Sequence, residues 1–77
     1  MSSHITLKLF ATLRSYTPPD ADRFAIAPGT TVLDIVHALK IPEKYAKLIF
    51  INNIRKEIDT ALQDGDRLGI FPPEGGG

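Results

Sequence analysis

One helix start stands out in this chain, and the segments around it alternate like sheet. Thr31 precedes Val32, Ile35, Val36 and Leu39, apolar positions at i, i+3, i+4 and i+7 that share one helix face. Asp34 stands three residues after Thr31, the spacing of a reciprocal capping box. Ile41 should end the helix, because the residue before a proline avoids helical geometry and Pro42 follows. Pro42 can itself open a short second helix over residues 43–47.

The remaining segments read as strands and turns. In Ile5-Thr6-Leu7-Lys8-Leu9-Phe10, apolar and polar residues alternate, which directs Ile5, Leu7 and Leu9 to a core. Residues 14–22 carry Pro18-Pro19 and predict a loop, with at most a frayed helical turn before the prolines. Phe24 and Ile26 alternate with alanines as a second short strand, and Pro28-Gly29 is a turn. Leu48-Ile49-Phe50-Ile51 is apolar throughout, the pattern of a strand covered on both faces. Asn52-Asn53 suits a turn, since Asn tolerates positive φ, and residues 54–58 return as a strand. A single helical turn is expected over residues 59–62, then a tight turn at Asp64-Gly65-Asp66. Arg67-Leu68-Gly69-Ile70-Phe71 forms the last strand, with Leu68 and Ile70 inward, and Pro72 stops its pairing. The order β-β-α-β-β-β predicts an α+β domain: a mixed sheet of about five strands packed on one main helix, the element order of the ubiquitin-like β-grasp.

Length and charge narrow the function. Seventy-seven residues make one domain, and a chain this short buries only about 60% of its unfolded surface. Nine basic and nine acidic residues cancel, whereas a nucleic-acid binder usually carries a basic excess. The sequence has no cysteine, which excludes disulfides, zinc–thiolate sites and a cysteine nucleophile. No basic and apolar leader opens it, and no apolar run approaches the ~20 residues of a membrane span, so the expected location is the cytoplasm. His4 and His37 lack a carboxylate cluster at ligand spacing, and no metal site is expected. Ser15, Tyr16 and Thr17 lack a paired base. The charged stretch Arg55-Lys56-Glu57 reads as a solvated turn.

The ending is unusual. Three of the six glycines occupy the last three positions, behind Phe71-Pro72-Pro73-Glu74. Glycines at a free C-terminus make a thread as thin as a backbone allows, able to carry a carboxylate into a narrow channel. The prolines favour polyproline II and aim the chain away from the sheet. Residues 1–71 are read as the domain and 72–77 as a flexible C-terminal tail. Terminal glycines are often inert tail, so this segment alone decides nothing.

Further motifs decide more. The chain resembles the MoaD/ThiS family of ubiquitin-like sulfur carriers, and within it the MoaD branch, the small subunits of molybdopterin synthase. The resemblance rests on Leu9-Phe10-Ala11-Thr12-Leu13-Arg14, on Pro28-Gly29-Thr30-Thr31-Val32 before the helix, and on Ile51-Asn52-Asn53. It continues through Asp59-Thr60-Ala61-Leu62 and Asp64-Gly65-Asp66 to the Phe71-Pro72-Pro73 stem and the Gly76-Gly77 end. The stem favours the molybdopterin branch over the thiamine branch. Glu74 and the third glycine depart from the family pattern.

The resemblance implies a mechanism. An E1-like (MoeB-like) adenylating enzyme uses ATP and Mg²⁺ to activate the Gly77 carboxylate, and sulfur then replaces AMP to leave a thiocarboxylate. Gly75 and Gly76 thread the channel. The thiocarboxylate donates sulfur to a pterin in the large, MoaE-like synthase subunit. The small protein is then a non-catalytic sulfur donor with no bound cofactor of its own. A ThiS-like role in thiamine synthesis, a ubiquitin-like modifier joined to lysines, and a plain interaction module are the alternatives. Strand parity puts Phe10 and Phe71 on the sheet face away from the helix, with Phe50 beside them if Ile49 and Ile51 face inward. Together with Pro72 and Pro73, these phenylalanines are the expected partner-binding residues.

Overall fold

The computed structural model describes residues 3–73. Gly75, Gly76 and Gly77, the expected threading and reactive positions, lie outside the described residues, as does Glu74.

Five strands and one α-helix form the frame: β1 (Ser3–Leu9), β2 (Phe24–Ile26), α1 (Val32–Ala38), β3 (Leu48–Ile51), β4 (Ile54–Lys56) and β5 (Arg67–Phe71). They make one sheet in the order β2-β1-β5-β3-β4. The first and last strands run parallel at its centre, Leu7 beside Leu68 and Leu9 beside Ile70. All other pairings are antiparallel. The expected element order and mixed sheet on one helix are therefore present.

Alternation decides which face is core. Ile5, Leu7, Leu9, Ile49, Ile51, Leu68 and Ile70 are buried in one cluster with Val32, Ile35 and Val36 of the helix. Burying a residue of this size contributes about 1.5–3 kcal/mol. Among the described residues no polar or charged side chain is buried, so the interior requires no polar compensation. Leu13 plugs the end of the core from a 3-10 helix, Ala11–Tyr16. That helix, and a second at Ala21–Arg23, replace the loop expected across much of residues 14–22. Ala11 starts the first of them at a left-handed φ of 53°.

At the start of α1, Thr31 Oγ1 accepts from the Asp34 amide while Asp34 Oδ2 accepts from the Thr31 amide, the predicted capping box. The next donors are met from residues 57–62. The Val32 amide bonds the Thr60 carbonyl and the Leu33 amide bonds the Ile58 carbonyl. In return the Leu62 amide donates to Thr30 O at 2.7 Å. This exchange explains why residues 59–62 form a turn and a bridge to Thr31 instead of the expected helical turn. Their backbone is already committed to the helix start.

The helix stops a few residues before Pro42. Lys40 adopts φ 60°, with its amide on His37 O and the Ile41 amide on Val36 O. These are the two bonds of a Schellman cap, here closed by lysine instead of glycine. Ile41, buried at the position after it, completes the hydrophobic side of the motif. After Pro42 the short second helix is a 3-10 turn, Glu43–Tyr45.

Asn52 and Asn53 have φ of 54° and 70°, the paired left-handed conformation of a two-residue hairpin turn. Asn52 also fixes the hairpin to β5, donating from Nδ2 to Asp66 and accepting the Arg67 amide on Oδ1. Arg55 and Lys56 accordingly lie on β4 and not in a solvated turn. At the same end of β5, just before it begins, Asp64 accepts the His4 amide and the Gly65 amide bonds His4 O, stitching the Asp-Gly-Asp turn to β1.

Candidate functional site

The site begins with how Phe10 is held. Pairing of the central strands runs one step past Leu9, because the Phe10 amide donates to Ile70 O at 3.2 Å. Phe10 stays extended, at φ −113° and ψ 156°, so strand parity persists and its side chain faces away from α1. Phe71 ends β5 on the same face. The two rings lie parallel, with centroids 4.1 Å apart and planes 2° from coincidence. Phe50 of β3 meets Phe71 edge-on at 5.6 Å and 78°. Such aromatic pairs are worth about 0.5–1.5 kcal/mol each beyond the area they bury.

All three phenylalanines expected on the outer face are thus there, with Phe71 packed against both of the others. Phe10 is 37% exposed, while Phe50 and Phe71 are half-buried. The expectation that β3 is covered on both faces needs correction. Ile49 and Ile51 enter the core, whereas the outer side is shielded by neighbouring rings, and among the described residues no second layer of structure covers it. A shallow depression of about 430 Å³ opens here, lined by Lys8, Phe10, Phe50, Asn53, Arg67 and Phe71 among others.

Gly69 is the residue that sequence reasoning passed over. It pairs with Lys8 on one side and Phe50 on the other. A Cβ built on it would stand 3.4 Å from Cε2 of Phe10, so the ring rests against bare backbone. The available signal was a glycine inside a strand, which marks close approach of another group.

Pro72 and Pro73 are half-buried. They line a second depression, of about 240 Å³, with Thr12, Leu13, Ser15, Tyr16 and Tyr45. The stem is therefore seated between two 3-10 helices as it leaves the sheet, which the expectation of a free, stiff rod did not include. The Lys47 amide on Phe71 O, 3.1 Å, fixes where it begins. Tyr16 and Tyr45 flank the stem through sequence-distant segments, so no local motif announced them.

Elsewhere the described residues offer little chemistry. No group of three or more His, Asp or Glu side chains among them could hold a metal. His37 pairs with Glu43 at 3.1 Å on the surface. No helix among them is long and apolar enough to cross a membrane.

The ThiS family model matches residues 7–77, nearly the whole chain. The chain belongs to the ThiS family. This ThiS-family chain is a ubiquitin-like sulfur carrier of the ThiS and MoaD type. A Pyrococcus furiosus protein assigned as subunit 1 of a molybdopterin converting factor is 27% identical, with a TM-score of 0.61 over 94% of this chain and 99% of that one. SAMP1 from Haloferax volcanii is 23% identical with a TM-score of 0.67, covering 97% and 100% of the two chains. The latter likeness speaks for the fold, a ubiquitin-like β-grasp. No curated protein matches significantly. Sulfur carriers of this family work with E1-like enzymes and partner subunits.

Proposed function

We propose that this ThiS-family chain carries sulfur as a thiocarboxylate on Gly77 and donates it in molybdopterin synthesis. One observation carries the reading. The family match runs through Gly77 itself, behind a proline stem seated at the root of an exposed aromatic cluster.

The chemistry follows from the terminal carboxylate. Its charge is delocalised and its leaving group would be oxide, so it is a poor acyl donor. In the proposed reaction a carboxylate oxygen attacks the α-phosphorus of ATP, pyrophosphate departs, and Gly77 becomes an acyl-adenylate. Mg²⁺ and basic groups of an E1-like, MoeB-like enzyme offset the phosphate charge. Sulfur at the sulfide level, delivered by the activating system as HS⁻, then adds at the acyl carbon and AMP leaves, giving the thiocarboxylate and a released proton. The thiocarboxylate sulfur next attacks a pterin precursor in a large, MoaE-like subunit. The chain's own contribution is presentation: Phe10, Phe50 and Phe71 dock, Pro72 and Pro73 orient, and Gly75 and Gly76 pass the channel.

The molybdopterin branch is favoured by the Phe71-Pro72-Pro73 stem and by the Pyrococcus furiosus relative. A test is reconstitution with the large synthase subunit of the source cell. Thiocarboxylated chain should convert the pterin precursor, and chain lacking the last two glycines should not. Sulfur transfer to a thiamine precursor instead would reassign the pathway, and attachment of Gly77 to lysines would make the protein a modifier.

A further inference from the structure

The outer sheet face carries a charge pattern that the aromatic cluster does not account for. None of the eight acidic residues among the described residues falls on any of the five strands. Register places three cations on that face. Lys8 pairs with Gly69, which pairs with Phe50, which pairs with Arg55, and Arg67 sits two residues before Gly69 on the same side. Lys8, Arg55 and Arg67 are all exposed. Among the described residues the one ion pair is His37 with Glu43, so no described carboxylate neutralises them. Lys8 and Arg67 also line the same depression as the three rings.

The geometry points to a protein partner that inserts an apolar side chain among Phe10, Phe50 and Phe71 and sets carboxylates against Lys8, Arg55 and Arg67. This inference rests on the carrier reading and specifies the chemistry of the activating enzyme's docking surface. An unpaired cationic face on a chain of zero net charge is an oriented field, which steers an acidic surface and fixes its register. Carboxylates brought against it beside a water-excluding apolar contact are screened less than charges in open solvent. A nucleic acid fits less well. The chain as a whole carries no basic excess, which a phosphate backbone would call for, and the stack already covers one face of each of the Phe10 and Phe71 rings.

The test uses the full chain with the purified adenylating enzyme of the source cell, following ATP–pyrophosphate exchange. Lys8→Glu/Arg67→Glu should raise the KM for the carrier about tenfold or more, the scale on which electrostatic steering acts, with kcat at saturation unchanged. Lys8→Gln/Arg67→Gln, with less risk to folding, should fall between it and the wild type. Lys40→Glu, on the far side of the helix end, should match the wild type. Rising salt should raise the wild-type KM and leave that of the double Glu variant nearly flat. A double variant with wild-type KM, or a salt-insensitive wild type, overturns the proposal while leaving adenylation, and so the carrier reading, intact. Absence of exchange at any wild-type concentration overturns both. Salt-dependent binding of a mixed-sequence single-stranded DNA oligonucleotide, lost in the double variant, would assign the face to nucleic acid instead.

Discussion

The Phe10 ring lies flat against that of Phe71, 4.1 Å between centroids and 2° between planes, with its edge over the bare backbone of Gly69. Three consequences for the outer face follow from this one packing arrangement: the rings form a single patch, the patch sits at the root of the stem, and no side chain longer than a Cβ fits beneath it.

Gly69→Val should displace the Phe10 ring. Its extra methyl groups extend beyond a Cβ that is already 3.4 Å from the ring, while a valine otherwise suits a strand. The expected result is loss of the stack, worth about 0.5–1.5 kcal/mol, visible in Phe10 ring chemical shifts. Gly69→Ala should change little, because its Cβ just reaches contact. Unchanged ring shifts in the valine variant would contradict the arrangement.

Phe71→Arg should abolish docking on the activating enzyme while the domain remains folded. Phe71 is half-buried against two rings, but the core behind it rests on Leu68 and Ile70, both 0% exposed. Circular dichroism and the KM of adenylation read the two effects separately. An unfolded Phe71→Arg chain would show that the ring is structural.

Removing the capping hydroxyl should cost more here than in a long helix. Thr31→Ala loses the bond to the Asp34 amide in a helix of seven residues, an expected loss of about 1 kcal/mol. For a domain this size that lowers the melting temperature by about 4–8 °C. Thermal unfolding measures it directly.

Lys40→Gly should stabilise the protein. Lys40 closes the helix at φ 60°, where an L side chain costs about 1–2 kcal/mol. Glycine's greater freedom when unfolded returns about 0.5–1 kcal/mol of that. A small rise in the denaturation midpoint, with unchanged adenylation, is expected because Lys40 lies far from the aromatic face.

Much of this fold was legible because local signals and tertiary contacts agree. Ile5, Leu7, Leu9, Leu68 and Ile70 alternate in the sequence and are buried in the structure. Thr31 and Asp34 announce a capping box that forms, and Asn52-Asn53 announces a turn that forms. The two misreadings have different origins, one in long-range bonding and one in a local cap. Residues 59–62 do not make a helical turn because Thr60 and Leu62 bond across to Val32 and Thr30. The helix ends before Pro42 because Lys40 accepts a left-handed conformation that propensity disfavours. On the outer face, parity located Phe10, Phe50 and Phe71. The closeness of Gly69 to Phe10, and of Tyr16 and Tyr45 to the stem, depends on segments far apart in sequence.

Sulfur on Gly77 is read from the intact mass of the protein isolated from its native host. A fraction of the protein should be heavier by the difference between one sulfur and one oxygen, localised by fragmentation to Gly77 and lost on alkaline hydrolysis. A terminus that stays a plain carboxylate when the activating enzyme, ATP and a sulfur source are all supplied would contradict it.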